Sequence, residues 1–462
     1  MMININKIYN WYDICPVFVQ NILVSLYGLH VERVRHKGKY DEYLQKYTNN
    51  LYKSKEYIVY NQLINMQNVI KTAYNEVPYY KKLFDFEGIK ADRINDYSDL
   101  LTIPYLEKQT IRDYEKELIS TKYDVKRLFK ICTTGTTGTP LNIYCNNNVR
   151  QINYAFYDRW LQTLHIDPRE AKATIGGRLV VPIEQKKEPY WRRSWFQNNT
   201  YFSSYHFLYE NMKSIINELE RFKPCYIDAY PSSVYTLAQY IVNNNINIKN
   251  KLKAIITSAE TLFDDMRETI EQAFKSPVFD QYGSAEMCVF IAQCSCGSYH
   301  VHSDYSVVEF INEQGEPAQG GEEAEIVCTS LINPVMPLIR YKIGDMVTLS
   351  SDTCSCGLPF PVVANVMGRS DDYIQTPEGR RVGRLSPVLK SLPIKEAQYI
   401  QDDIDSLTVV IVPDNGYTDD TEHKVVKELR KRLGYSIDLQ FDYTERISRG
   451  KGGKYRSIIS NV

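Results

Sequence analysis

The chain opens on helical periodicity. From the N-terminus to about Asp113 apolar residues recur mostly at three- and four-residue intervals, most clearly from Asn61 to Asn75, and Val77-Pro78 ends that helix. The apolar stretch Pro16 to Leu29, interrupted by Gln20 and Asn21, reads as a buried helix, with a membrane-surface helix as the minority alternative. A short strand-like run, Leu128 to Cys132, then opens into a glycine–threonine loop. Beyond it, helical patterns at Val149 to Leu164, Tyr209 to Phe222 and Val234 to Asn243 alternate with short apolar runs at Tyr226 to Ala229, Ala254 to Thr257 and Val278-Phe279. Such alternation predicts an α/β domain with a largely parallel sheet, because parallel strands are joined by crossovers that are usually helical.

Near Cys288 the period changes. Tyr305 to Ile311 and Ala324 to Leu331 alternate like strands, separated by the turn signal Asn312 to Glu316, and predict an antiparallel or barrel-like subdomain. From about Asp371 the tail carries strands at Glu396 to Gln401 and Ser406 to Val412 and a helix from Asp419 to Leu433, a small α+β domain. The expected architecture is therefore α/β. A large N-terminal domain (1–370) comprises a helical start (1–113), an α/β core (114–287) and a β subdomain (288–370), and a small C-terminal α+β domain (371–462) follows.

Composition narrows the function classes. Of 462 residues, 43% are hydrophobic and 24% charged, and 55 Lys+Arg face 56 Asp+Glu. That balance supplies no field for steering nucleic acid, so no nucleic-acid partner is expected. Pro16 to Leu29 is too short to span a bilayer and lacks a basic leader, so a cytoplasmic protein without a transmembrane segment is expected. Of the ten cysteines, Cys294, Cys296, Cys354 and Cys356 form two C-x-C pairs. In a cytosolic chain such pairs point to metal binding rather than disulfides, and scattered cysteines to small buried hydrophobes.

The strongest local chemical signal is Thr133-Thr134-Gly135-Thr136-Thr137-Gly138-Thr139-Pro140. Its glycines permit tight backbone geometry, its amides can face phosphate oxygens, and its threonine hydroxyls add donors. The lysine of the Walker loop is absent. The loop resembles the phosphate-binding signature of the adenylate-forming superfamily, which includes acyl-coenzyme A synthetases. Five further segments match in the family's order: Ser258-Ala259-Glu260, Tyr282-Gly283-Ser284-Ala285-Glu286, Tyr341 to Asp345, Gly368 to Asp372, and Gly450 to Arg456.

The resemblance implies roles. Thr133 to Gly138 would cradle the phosphates of ATP, Ser258, Ala259 and Glu260 would lie against adenine, Tyr282 would stack on it, and Ser284 would reach the α-phosphate. Glu286 would help hold Mg²⁺, Asp345 would bind the ribose hydroxyls with Arg369 nearby, and Asp371 would be the hinge to the small domain. Lys454 would be the catalytic lysine, with Lys451 as the fallback. The reaction needs such parts, because a carboxylate attacking the α-phosphate is one anion meeting another.

Within the superfamily the chain is most similar to the phenylacetate–coenzyme A ligase group, especially its capsular-polysaccharide branch. Pro78-Tyr79-Tyr80, Tyr230-Pro231-Ser232-Ser233 and the cysteine pattern carry that likeness, with Thr139 where many members have lysine and Ser258 where glycine is frequent. It implies ATP, Mg²⁺, a small carboxylic acid, and a thiol (coenzyme A) or amine acceptor, in surface-polysaccharide or secondary-metabolite biosynthesis; a homodimer is left open. Tyr230, Ser232 and Gly283 are candidate liners of the acid pocket, and Arg178 a candidate for a polar or anionic group on the acid. Cys294, His300, Cys354 and Cys356 would complete a closed tetrahedral Zn²⁺ set, a structural site, with Cys296 and His302 as rival ligands. The alternatives are a catalytically silent nucleotide- or acid-binding scaffold and an enzyme with an open catalytic zinc.

Overall fold

The computed structural model describes residues 11–133, 141–369, 374–377, 381–382, 385–389, 392–448 and 455–462. Two compact units form: Met1–Lys172 with Arg192–Thr200 and Phe279–Val366, and Ala173–Trp191 with Tyr201–Val278 and Met367–Val462.

The first unit begins with helices α1 (Val17–His36), α2 (Tyr40–Asn50), α3 (Lys55–Glu76) and α4 (Pro78–Glu87). Ser54 caps α3 by accepting the Tyr57 amide at 3.3 Å, and the helix buries one stripe, Ile58, Gln62, Met66, Ile70 and Ala73. Val77 is extended and Pro78 opens α4, as the restricted residue before proline requires. An antiparallel hairpin of β1 (Phe129–Thr133) and β2 (Leu141–Cys145) precedes α5 (Asn147–Thr163).

The second unit takes over with β3 (Lys172–Gly176), α6 (Met212–Phe222), β4 (Tyr226–Ala229), α7 (Pro231–Asn243), β5 (Ala254–Ser258) and α8 (Asp264–Phe274). Strands β4 and β5 pair in parallel from Tyr226↔Ala254 to Ala229↔Thr257, with α7 as their crossover. Ile227, Val234, Leu237, Ile241, Ile255, Ile270 and Phe274 share its core.

The chain then returns to the first unit through β6 (Val278–Gly283), β7 (Phe290–Gln293), β8 (Tyr299–Val301), β9 (Ser306–Ile311), β10 (Glu323–Ser330), β11 (Tyr341–Leu349) and β12 (Val362–Arg369). These lie side by side in the order β9-β10-β11-β12-β8-β7-β6. Met66, Ile70 and Ala73 of α3 share a core with Ile326, Cys328, Tyr341 and Val347 of the sheet.

The second unit closes with β13 (Ile394–Asp403), β14 (Ser406–Pro413), α9 (Asp419–Leu433), β15 (Asp438–Tyr443) and β16 (Ile458–Ser460). Strands β15 and β16, absent from the sequence expectation, complete a four-stranded sheet in the order β15-β14-β13-β16. Val425, Leu429 and Leu433 of α9 share a core with Tyr399, Leu407, Val409 and Ile411. The protein is thus mixed α/β with a small C-terminal α+β fold, as expected.

Helix α1 departs from expectation. Its buried residues are Gln20, Ser25 and Gly28, whereas Phe18 is 68% exposed, Leu26 53% and Tyr27 67%. Hydrogen bonding and close approach, rather than apolarity, choose the docked face. Gln20 accepts from Arg192, Asn21 accepts the Arg193 amide at 3.0 Å, and Ser25 accepts the Trp195 amide at 3.1 Å. A Cβ on Gly28 would sit 2.7 Å from Gln197 Oε1, so only glycine lets the helix come this close.

The last turn of α1 is held by charge. His36 Nδ1 lies 2.6 Å from Glu32 Oε2 and its Nε2 3.1 Å from Asp158 Oδ2, which also accepts from Tyr40 at 2.6 Å. Burial disfavours the imidazolium, but the two carboxylates outweigh it and hold His36 at about 9 against an ordinary 6.5. Burial likewise opposes the Glu32 carboxylate, and His36 and Gln197 pull it down to about 2. A raised histidine stabilises fully below its unfolded value and loses that stability as pH rises through its folded one. The lowered glutamate behaves oppositely, its share vanishing as pH falls towards 2. His36→Gln should therefore cost about 1–3 kcal/mol at pH 6. In thermal melts the gap to wild type should shrink as pH climbs past about 9. A gap independent of pH would mean that His36 acts only by packing.

Candidate active site and metal centre

In the first unit, β6 delivers Tyr282 and β11 delivers Asp345. The Tyr282 hydroxyl donates to Asp345 Oδ2 at 2.5 Å, closing a separation of 63 residues. Burial first, and then the Asp345 carboxylate, push the Tyr282 phenol well above its usual range, so it stays a donor. Glu286 is 8% exposed and accepts from the Tyr341 hydroxyl at 3.1 Å. Ser284 Oγ lies 3.3 Å from Cys288 Sγ. A Cβ on Gly283 would lie 2.6 Å from Gln281 Nε2, so a side chain here would have to displace the Gln281 amide. Residues of two sequence motifs thus meet through the Tyr282–Asp345 and Tyr341–Glu286 hydrogen bonds.

In the second unit β5 runs out at Ser258, and Ala259 adopts a left-handed backbone, φ 72°, which costs a non-glycine residue about 1–3 kcal/mol. That turn aims Glu260. Its Oε2 accepts the Ser232 amide at 3.0 Å, in the first turn of α7, where the helix dipole favours an anion. Its Oε1 accepts the Tyr455 amide at 2.7 Å. The sequence assigns Glu260 to the adenine segment, but no local signal links it to Tyr455, because 195 residues separate them. Tyr230 donates its amide to Ile175 at 3.0 Å and lays its ring over Gly176, where an added Cβ would be 3.6 Å from the nearest ring atom. The exposed Arg178 contacts the Tyr201 hydroxyl at 3.3 Å, with its guanidinium 5.2 Å from the ring centroid.

Thr134, Gly135, Thr136, Thr137, Gly138, Asp371, Lys451 and Lys454 lie outside the described residues. Thr133 ends β1 and Arg369 ends β12.

The cysteine–histidine cluster is a separate centre. Cys294 follows β7, His300 sits on β8, and Cys354 and Cys356 lie in the loop before β12. One ligating atom from each lies within 4.8 Å of the others. Cys294 Sγ is 3.6 Å from Cys354 Sγ, and Cys356 Sγ is 3.2 Å from His300 Nε2. His300 Nδ1 lies 3.1 Å from the Phe360 carbonyl, a contact that protonates Nδ1 and leaves the Nε2 lone pair aimed into the cluster. Burial pushes the Cys294 thiol up to about 12. Burial also opposes the Cys354 thiolate, but hydrogen bonds from the Ser298 side chain and the Cys356 amide hold it at about 6. Three soft sulfurs and one correctly oriented imidazole fit Zn²⁺.

The rival ligands sit elsewhere. Cys296 is exposed, its sulfur 3.9 Å from Ser355 Oγ. His302 contacts Arg159 and stacks on Phe360 with centroids 4.8 Å apart. Burial and the adjacent guanidinium push its pKa well below the ordinary value, so it stays neutral. Arg159 is 0% exposed, pairs with Asp304 at 2.6 Å and donates to the Tyr47 carbonyl at 2.9 Å. The helical pattern marks Arg159 as one polar position among many, and only the tertiary structure makes it a buried ion pair. Of the scattered cysteines, Cys145, Cys288 and Cys328 are buried, while Cys132 is exposed.

Residues 374–461 match the family described as CapK C-terminal domain. Protein CapK of Staphylococcus aureus is 30% identical over 99% of this chain and 100% of its own length. A phenylacetate-coenzyme A ligase of Thermus thermophilus is 21% identical over 85% of this chain and 94% of its own. A crystal structure of 2-hydroxyisobutyryl-CoA ligase in the postadenylation state, in complex with R3-HIB-AMP, shares the fold. Its TM-score is 0.70 at 18% identity, covering 87% of this chain and 89% of that one. Full-length identity at this level, joined to the C-terminal match, is membership: the chain belongs to the CapK family, in the phenylacetate–coenzyme A ligase group of adenylate-forming ligases.

Proposed function

We propose that the chain activates a carboxylic acid with ATP and Mg²⁺ and passes the acyl group to coenzyme A or to an amine. A carboxylate oxygen attacks the α-phosphorus, the bond from that phosphorus to the bridging oxygen breaks, and pyrophosphate leaves with the electron pair. The thiol or amine then attacks the acyl carbon and expels AMP. The observation that carries this reading is the Tyr282–Asp345 hydrogen bond beside the buried Glu286. That bond joins two of the motifs to which the resemblance assigns the nucleotide, 63 residues apart in the chain.

In this reading Tyr282 stacks on adenine, Asp345 and Arg369 hold the ribose, and Ser258 and Ala259 lie along the base. Thr133 to Gly138 and Ser284 face the phosphates, and Glu286 holds Mg²⁺, which when bound screens the charge between attacking carboxylate and triphosphate. Glu260 positions Tyr455, and hence the chain beside Lys454, the lysine proposed to meet the α-phosphate. Tyr230, Ser232 and Gly283 border the acid and Arg178 its polar end. The domain division at 370/371 with Asp371 as hinge lets one active site serve both half-reactions. Cys294, His300, Cys354 and Cys356 hold a structural Zn²⁺. Among the described residues no helix is long and apolar enough to cross a membrane, which supports a cytoplasmic location.

The test is ATP–pyrophosphate exchange across aryl, fatty, amino and sugar acids, followed by acyl transfer to coenzyme A and to amines. Exchange with one acid class is expected, and the acceptor that consumes the adenylate decides between thioester and amide. Tight ATP binding without exchange for any acid would favour the silent scaffold.

A further inference from the structure

A cavity of about 480 Å³ lies where α2 ends and α3 begins, closed by Asp304 from the turn between β8 and β9. No residue assigned above to the nucleotide, the acid or the zinc lines it. The buried part of its wall is polar, since Tyr47 and Asp304 are each 8% exposed. Arg159 holds Asp304 at 2.6 and 3.2 Å, and the Asn50 amide donates to it at 2.9 Å. These contacts neutralise the carboxylate and leave one lone pair on its Oδ1. The Tyr47 hydroxyl makes no hydrogen bond among the described residues, and burial pushes its phenol up, so it keeps a proton to donate. The rest of the wall is amides and cations. The side chains of Asn49 and Asn65 have no partner among the described residues, and Asn61, which donates to the Tyr57 carbonyl at 2.8 Å, keeps its oxygen. Lys46 and Lys53 form no ion pair there, their ammonium groups lying 5.1 and 5.3 Å from the ring centroids of Tyr47 and Tyr57. Asp41, Glu42 and Glu56 are exposed and near in sequence, but they do not line the cavity, and Glu56 bonds back to Ser54.

We propose that this cavity binds a small acidic sugar, with its hydroxyls on the asparagines, Tyr47 and Asp304 and its carboxylate or phosphate against Lys46 and Lys53. An amide side chain is donor and acceptor together, as a hydroxyl is, so a wall of amides matches a polyol. With Asp304 already matched by Arg159, the two lysines leave the wall cationic and select an anion. Ile58 is the one aliphatic side chain in the wall among the described residues, which gives an acyl or aryl body little to hold. A nucleobase gains little, because the Tyr47 and Tyr57 rings already carry lysine cations. The volume suits a ligand of one or two sugar rings.

The experiment is titration calorimetry of the full chain, kept saturated with ATP, against glucuronate, glucose 6-phosphate, glucose and inorganic phosphate. At least one acidic sugar should bind with a Kd of about 1 mM or below, and whichever binds tells carboxylate from phosphate. Glucose and inorganic phosphate should each bind about tenfold more weakly or worse, since each offers half of the recognition. Lys46→Glu with Lys53→Glu should weaken the acidic sugar about tenfold or more, and Tyr47→Phe, which removes a single oxygen, about threefold or more. Thermal melts verify that both variants fold, and Asn65→Ala replaces either one that does not. A folded wild-type chain that binds neither acidic sugar would overturn the proposal. So would inorganic phosphate binding as tightly as the sugar phosphate. Binding that both variants leave unchanged would overturn it too, by placing the sugar elsewhere, in the acid pocket for instance.

Discussion

Lys454→Ala is expected to lower ATP–pyrophosphate exchange about 10²–10³-fold while ATP affinity changes by less than about tenfold. The cation proposed to meet the α-phosphate is worth most where charge is developing at the α-phosphorus and little in the ground state, so the loss should fall on kcat. The same variant, supplied with preformed acyl-AMP, should still transfer the acyl group, because that step breaks no phosphoanhydride bond. Loss of both half-reactions together would show instead that the substitution damages the fold. Normal exchange by Lys454→Ala, with failure of Lys451→Ala, would move the role three positions along the same glycine-rich segment. Glu260 offers an internal check, since its carboxylate holds the amide next to Lys454. A Glu260→Ala variant should share the kcat defect in weaker form.

Zinc removal carries the second large effect. Four ligating atoms lie within 4.8 Å of one another, tying the turn after β7 and strand β8 to the loop before β12. Without a cation nothing bridges the four side chains, and the loop loses its cross-link. Purified protein should hold about one zinc per chain. Cys354→Ser should reduce that to near zero and lower the melting temperature by about 10 °C or more. Cys296→Ser should change neither, because its sulfur points to Ser355 instead. Metal analysis finding far less than one zinc in folded wild-type protein would sink the assignment. Chelation that stops exchange in a chain that remains folded would revive an open, catalytic zinc.

Both predictions start from motifs that were legible because their chemistry is local. The glycine–threonine loop, Tyr282 to Glu286 and the C-x-C pairs each advertise themselves within a few residues. The same holds for helices such as α3, whose buried stripe repeats at three- and four-residue spacing, and for β9 and β10, whose strand-like runs predict antiparallel strands. Strands β15 and β16 were not legible. The first alternates weakly, burying little, and the second is three residues long. Such segments become strands only because β14 and β13 offer them free edges.

The sequence by itself therefore determined the class of the fold, the family and the kinds of residue at the candidate site. These follow from periodicity and short-range motifs, which depend on nearest neighbours along the chain. The tertiary structure alone decided which groups meet: Glu260 with the Tyr455 amide, Arg159 with Asp304, and His300 rather than His302 with the cysteines. It also reversed the reading of α1, where apolar residues predict burial but hydrogen bonds to Arg192, Arg193 and Trp195 turn the polar face inward. A buried polar group without a partner costs more than an exposed apolar one gains by burial, so the partners available across the fold set which face docks. No reading confined to neighbours along the chain contains those partners.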